Sequence, residues 1–219
     1  MTTNEPDFLN YQKTIESGIE LAGEYDFPVV KGIKFKALKN PQLIGFNYAT
    51  NHATEDKEKK IVHFFLPDYR FQQVWNNPDK YIPIFEQYKA ILSPDFSVYT
   101  DMPRAMQIFN IYRMAWMSAY YQKQGIKVIP SLTWGAEDTY DFCFDWVPRG
   151  SAVCVSSVGC MQNKESTRLF LKGFEKAIEV VEPAQVVLYG KATKEVMDIC
   201  PDLVRVPSFM EERKSERWS

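Results

Sequence analysis

Ala90-Ile91-Leu92-Ser93-Pro94-Asp95-Phe96-Ser97, then a helical run from Asp101 to Gly125, then Ile126-Lys127-Val128-Ile129-Pro130-Ser131-Leu132, is the stretch that decides the fold. The flanking segments are short, apolar and closed by Ser, Pro or Gly, which is the pattern of buried strands. Between them, Asp101 and Pro103 supply helix-start chemistry, Met106, Phe109, Arg113 and Trp116 recur at helical spacing, and Gly125 supplies a C-terminal stop. Two strands joined by a helix of this length form a crossover unit, so the strands are parallel.

The pattern repeats toward the C-terminus. Residues 152–158 read as a strand ended by Gly159. Ser166 then opens a helix with one apolar face, Phe170, Phe174, Ala177, Ile178 and Val181, which Pro183 stops. Residues 186–189 form the next strand, ending at Gly190. Short apolar strands alternating with helices predict an α/β fold with a mainly parallel sheet, flanking helices and right-handed crossovers. The strand count fits an open sheet or an incomplete barrel, with its core at about residues 90–191. A further helix at 194–199 and a strand at 203–206 follow, and the charged residues 211–219 read as a frayed tail.

Upstream, helical spacing of Phe8, Tyr11, Ile15 and Ile19 predicts a peripheral arm over about residues 1–24. Residues 29–38, 43–49 and 61–66 read as short N-terminal strands, antiparallel or at a sheet edge, with 51–60 as an exposed loop. Pro78 opens a helical segment toward Tyr88. Nothing resembling a linker divides the 219 residues, so one domain over 1–219 is expected.

Hydrophobic residues at 45% and aromatic residues at 15% suffice for a sizeable core. Twenty-six basic against twenty-eight acidic residues give a net charge of −2, which supplies no global field for nucleic acid or an anionic membrane. No run approaches the roughly 18 apolar residues of a membrane helix, and the N-terminus has no secretory pattern, so a cytoplasmic protein is expected. Cys143, Cys154, Cys160 and Cys200 contain no CxxC pair and no histidine lies near them in sequence; they read as buried or free thiols. His52 falls in the exposed loop and His63 in an apolar strand, neither with metal-ligand spacing.

Ligands of parallel α/β sheets and barrels bind beyond the carboxyl ends of the strands. That rule nominates Asp95 and Asp101 as catalytic acid, base or metal ligands, against the reading that each caps a turn or helix start. It nominates Asn110 and Arg113 as substrate anchors, against the reading that they satisfy buried carbonyls or pair with Asp101. Trp134 is a stacking wall for a base or sugar, or rim packing. Gly159 and Gly190 follow strands without a GxGxxG or GxxxxGK motif, so no nucleotide fingerprint is present. Cys160 beside a helix start is a weaker nucleophile candidate. The sequence names no metal or cofactor.

The blocks Ser93-Pro94-Asp95-Phe96-Ser97, Asp101-Met102-Pro103, Gln107 with Asn110 and Arg113, Gly125-Ile126-Lys127-Val128-Ile129-Pro130, Trp134-Gly135 and Phe142-Cys143-Phe144-Asp145 resemble the domain-of-unknown-function family 4417. The resemblance runs from about Phe65 to Lys191 and includes Asp68-Tyr69, Trp75 and Val187-Leu188-Tyr189-Gly190. Trp146 departs from it, standing where the family pattern has glycine. The resemblance implies an origin in a bacterium, phage or mobile element and a site of action in the bacterial cell, and it implies no activity.

Two functional classes follow. One is a hydrolase or transferase acting on a nucleotide, nucleic acid or sugar through aspartate chemistry. The other is a non-catalytic accessory protein that binds a host or phage protein, with the 51–60 loop and the tail as contact surfaces. Small-molecule, nucleic-acid and protein partners stay open at this point, and a nonspecific nucleic-acid binder fits the charge least well.

Overall fold

The chain enters through a short antiparallel pair, β1 (Leu21–Ala22) and β2 (Phe27–Pro28), in the computed structural model, which describes residues 18–33, 40–51 and 53–216. Most of the expected N-terminal arm lies outside the described residues; residues 18–24 form a turn and β1. Of the expected 29–38 strand, residues 29–33 form no strand. They are tied by Val29 N–H to the Glu20 carbonyl (2.8 Å) and Val30 N–H to the Trp146 carbonyl (3.2 Å); residues 34–38 lie outside the described part.

Seven parallel strands follow, with helices between them: β3 (Gln42–Gly45), α1 (Phe46–Ala49), β4 (Lys60–His63), α2 (Gln72–Asn76), α3 (Ile82–Phe85) and β5 (Ala90–Leu92). Next come α4 (Arg104–Lys123), β6 (Val128–Ile129), β7 (Ala152–Ser156), α5 (Lys164–Val181), β8 (Gln185–Tyr189), α6 (Lys194–Ile199), β9 (Val204–Val206) and α7 (Phe209–Glu216). The helix expected from Pro78 is split into a 3-10 turn, Pro78–Tyr81, and α3. The charged C-terminal segment, expected to fray, continues as helix α7 to Glu216.

The strands pair in the order β3-β4-β5-β6 and β7-β8-β9, every pair parallel. A parallel bridge between Ser131 and Cys154 joins the two groups, with Leu132 N–H on the Cys154 carbonyl and Cys154 N–H on the Pro130 carbonyl. Of the two arrangements expected for the upstream strands, antiparallel or at a sheet edge, the first is overturned, while β3 does stand at an edge. Leu43 pairs with Ile61, and Ile61 with Ala90, in the same parallel ladder as the core. The parallel arrangement runs from Gln42 to Val206, beyond 90–191 on both sides. The strand expected over 43–49 stops at Gly45 because Phe46 and Ala49, three apart, are both buried when the chain turns helical, with Phe46 stacked on Phe64.

This seven-strand order does not lie flat. Four inter-strand steps separate β4 from β8, which in a flat sheet is about 19 Å; yet the rings of His63 and Tyr189 are 4.7 Å apart and Phe65 stacks on Tyr189 at 5.4 Å. The sheet curls until its own face meets itself. Leu43, Ile61, Ala90, Leu92, Ile129, Cys154, Val187, Tyr189 and Val206, drawn from all seven strands, form one inner cluster. Their neighbours Val62, Ile91, Val128, Val153, Val155, Val186 and Leu188 face a separate outer core with the helices. Among the described residues no ladder joins β9 to β3, so the barrel is incomplete. Tyr48 of α1 meets Phe209 of α7 across that gap, ring centroids 5.9 Å apart.

The helices close the outer layer. α4 is buried almost all round from Asn110 to Tyr121, because β2 and the Trp75–Tyr81 segment cover the side that would otherwise face water. Trp116 stacks on Tyr120 at 4.8 Å, and the Tyr121 hydroxyl donates to the Pro78 carbonyl. Each fully buried aromatic here contributes about 1.5–3 kcal/mol. Gly125, at φ +85°, closes α4 as expected, its N–H on the Gln122 carbonyl. α5 opens with a capping box in which Asn163 accepts from Ser166 N–H and Ser166 returns the contact. Among the described residues no helix is long and apolar enough to cross a membrane.

Candidate functional site

The carboxyl ends of β4, β5, β6 and β7 gather the groups nominated from sequence. After β5 the loop Ser93–Ser97 folds over the barrel mouth, fixed at one end by Ser131, whose N–H donates to Ser93 Oγ (2.6 Å) and whose hydroxyl donates to the Ser93 carbonyl (3.2 Å). At the other end the Asp68 carboxylate, delivered just beyond β4, accepts from Ser97 N–H (3.1 Å) and Ser97 Oγ (2.8 Å). The Ser97 carbonyl accepts from Asn110 Nδ2 at 2.6 Å.

Asn110 and Arg113 are buried, and the structure shows what they hold. Asn110 Oδ1 accepts from the Arg113 guanidinium, which also donates to Gln72 Oε1 (2.8 Å) and lies 3.6 Å over the Phe96 ring. Burial pulls the Arg113 pKa down to about 10, opposed by the charge of Asp68. Arg113 Nε is buried with no hydrogen-bond partner. Asn110 and Arg113 are thus brought together with the Ser97 loop and Asp68, and neither meets Asp101 in any hydrogen bond or ion pair among the described residues.

Asp95 sits between these anchors. Its Oδ1 is sealed from solvent and has no hydrogen-bond partner among the described residues. Burial, with the neighbouring Asp68 charge adding to it, pushes its pKa up to about 8, so the carboxyl carries its proton at neutral pH. A neutral buried acid beside an ionised one is an arrangement from which a proton can be donated. Asp68 and Asp95 come from consecutive strand ends and would offer carboxylate oxygens to a cation; among the described residues no third His, Cys, Asp or Glu completes a metal-binding group with them. Asp101 lies exposed and gives α4 no side-chain cap, the helix starting instead after Pro103.

Beside this loop opens a cleft of about 390 Å³ between the ends of β5, β6 and β7 and the start of α5. Tyr99 and Asp101 stand on one side, Leu132, Thr133 and Trp134 on another, and Ser156, Cys160, Ser166 and Phe170 complete it. Trp134 is seated on α5, its Nε1 donating to the Leu169 carbonyl (3.3 Å) and its ring 5.5 Å from Phe170. Gly173 makes that seat: a Cβ there would lie 2.0 Å from Trp134 Nε1. Gly135 is similarly confined, with the Val98 carbonyl 3.1 Å from where a Cβ would be. Both the ligand wall and the packing role weighed for Trp134 are therefore compatible with its place.

Cys160, the weaker nucleophile candidate of the sequence, is a free, half-buried thiol. Burial raises its pKa to about 11, and Asp95 adds to the rise; its Sγ faces the Ser156 and Val158 carbonyls. Cys154 is raised further by burial in the inner cluster, so neither is a thiolate at neutral pH. His63 stays neutral, pushed down to about 4 by burial, its Nδ1 accepting from Phe65 N–H; His52 lies outside the described residues. Two residues escaped nomination. Asp68 escaped because its strand was read as an edge outside the core, and Gly173 because a lone helical glycine carries no sequence signal of a partner 39 positions away.

Residues 19–207 match the family described as a domain of unknown function, DUF4417. The chain belongs to this family. The match spans the barrel from the first hairpin to β9, and Trp146, the departure from the family pattern, is fully buried with its Nε1 on the Cys143 carbonyl. The chain is similar to the Gene 1 protein of Mycobacterium phage L5, 35% identical over 213 residues that cover 97% of this chain and 89% of that one. It is similar also to the Gene 1 protein of Mycobacterium phage D29, 38% identical over 217 residues covering 97% and 77% respectively. No solved structure matches.

Proposed function

We propose that this DUF4417 chain is an enzyme, a hydrolase or transferase acting at the cleft on a nucleotide, nucleic-acid or sugar substrate. The observation that carries this reading is Asp95, a carboxyl sealed at the strand ends with Oδ1 unpartnered and its proton retained. A buried polar group without a partner costs stability, and such costs concentrate where function needs them. Asp95, which lies behind the wall close enough for its charge to act on Cys160, is assigned as the proton donor to the leaving oxygen or nitrogen, its pKa raised by burial and by the Asp68 charge. Asp101, on the cleft lip, takes the proton of the attacking water or acceptor hydroxyl. Asn110 and Arg113 position the Ser93–Ser97 loop, and Trp134 walls the cleft.

The test is turnover by purified protein of a panel of nucleosides, nucleotides, short oligonucleotides and aryl glycosides, followed by chromatography. Asp95→Asn is expected to cut the rate of whichever substrate is converted by a factor of about 10² or more. Full activity in that variant, or no conversion of any class by the parent chain, would sink the reading.

A second reading, a non-catalytic protein that binds another protein, draws on a different observation. Tyr69, Tyr99, Met106 and Phe109 are exposed by 74, 61, 51 and 48% around the same loop, and exposed aromatic and methionine side chains favour protein contact.

A further inference from the structure

Resting on the cleft reading above, we infer that the ligand of this cleft is an uncharged ring bearing hydroxyls, a free sugar or nucleoside, and not its phosphorylated form. The lining supplies faces and hydroxyls. Tyr99, 61% exposed at the lip, offers an open aromatic face, while Thr100 and Thr133 offer hydroxyls that both donate and accept, and the Ser156 hydroxyl, which accepts from Val158 N–H, keeps its own proton to donate. The carboxylate among the described residues of the wall is Asp101, and no Lys or Arg lines the cleft with it.

The start of α5, where a phosphate would be expected to seat, is partly taken up by the chain itself. Asn163 Oδ1 holds Ser166 N–H (2.9 Å) and the Asn163 carbonyl holds Thr167 N–H (3.0 Å). The basic residues further along α5 are likewise engaged: Lys172 pairs with Glu137 at 2.6 Å, and Arg168 with Glu165 at 2.7 Å. Arg104, three residues after Asp101, pairs with Asp141 at 2.7 Å, and Arg113 is buried beneath Phe96 and Phe109. An approaching phosphate would meet the Asp101 charge, and no cation lines the cleft itself to offset it. A neutral ring meets stacking and hydroxyl exchange alone.

The experiment is calorimetric titration of the full chain with adenosine, adenosine monophosphate, methyl glucoside and glucose 6-phosphate. One neutral ring is expected to bind, with its phosphorylated counterpart at least threefold weaker; which of the two binds separates nucleoside from sugar. Tyr99→Ala is expected to weaken that binding roughly tenfold, and Asp101→Lys to reverse the preference toward the phosphate. Equal or tighter binding of a phosphorylated partner by the parent chain overturns the inference, as does the absence of binding by both neutral rings to millimolar concentration. Binding is read without turnover. Neutral-ring binding without any conversion would leave this inference standing while the enzymatic reading fell; conversion of a phosphorylated substrate alone would do the reverse.

Discussion

Glu211 on the β9 side of the barrel mouth and Asp95 on the β5 side are both shielded carboxyls, and their surroundings treat them in opposite ways. Burial pushes the Glu211 pKa up, but the N–H and hydroxyl of Ser208 and the guanidinium of Arg205 outweigh it and hold the group below its ordinary value. That side is laced further by Arg205 Nε on the Gly190 carbonyl (2.8 Å) and Phe209 N–H on the Tyr189 hydroxyl (3.0 Å). Asp95 has burial and the Asp68 charge, both raising it, and an oxygen without a partner. The Glu211 side is built to hold the open barrel together. The Asp95 side instead carries one buried oxygen without a partner, the cost on which the proposed proton-donor role rests.

The largest expected effect breaks that comparison by removing the titrating group at Asp95. Its pKa rises from 3.8 to about 8 on folding, while that of His63 falls from 6.5 to about 4. Between about pH 4 and 6.5 the folded chain holds one extra proton on Asp95 and lacks one on His63, so the two nearly cancel. Above pH 6.5 only the Asp95 difference remains. The folded state then binds more protons than the unfolded, and stability falls by about 1.4 kcal/mol per pH unit, about 2 kcal/mol by pH 8. In Asp95→Asn the fall disappears and the His63 contribution stands alone, so stability rises with pH by about 3 kcal/mol between pH 4 and 6.5 and then levels. Urea unfolding of both chains from pH 4 to 8.5 reads this directly; parallel profiles would mean that Asp95 is not held protonated.

A smaller effect is expected where the wall of the cleft is seated. Gly173→Ala puts a methyl group 2.0 Å from Trp134 Nε1, against a ring also hydrogen-bonded to the Leu169 carbonyl. Helix propensity alone would reward alanine by about 0.8–1.0 kcal/mol. The overlap costs about 1–3 kcal/mol and drives Trp134 out of its seat, so the net change is a loss together with altered tryptophan fluorescence. A plain gain in stability, with unchanged fluorescence, would show that the indole moves aside at no cost.

How far the sequence reveals this arrangement follows from the length of each crossover. α4 and α5 carry 20 and 18 residues, long enough for their helical pattern and stop signals to mark the strands beside them as parallel. Between β3 and β4 the crossover holds only the four-residue α1 and a 3-10 turn, so nothing in the pattern distinguishes it from a hairpin, and the strands were expected at an antiparallel edge. Asp68 was lost with them. The curl of the sheet is equally silent locally, because it rests on contacts such as His63 with Tyr189, 126 positions apart. The strand-end rule led to Asp95, Asp101 and Trp134, whereas the bond from Asn110 to the Ser97 carbonyl and the buried Arg113 required the folded chain.

The smallest expected effect tests the laced side. Glu211→Gln keeps an acceptor for Ser208 but removes the charge that pairs with Arg205 at 2.6 Å. The pair is part exposed, with Arg205 at 45% and Glu211 at 25%, so solvent screens it and the loss is about 1 kcal/mol or less. The sign with pH is opposite to that of Asp95. Because folding lowers the Glu211 pKa, its contribution is present above the ordinary glutamate value of 4.5 and fades as pH falls through the lower folded value. The variant is therefore expected to differ from the parent at pH 7 and to converge with it in acid, measured by urea unfolding at low salt. A difference that grew as the pH fell would mean that Glu211 is not held ionised by Ser208 and Arg205, and the contrast with Asp95 would lose one of its two sides.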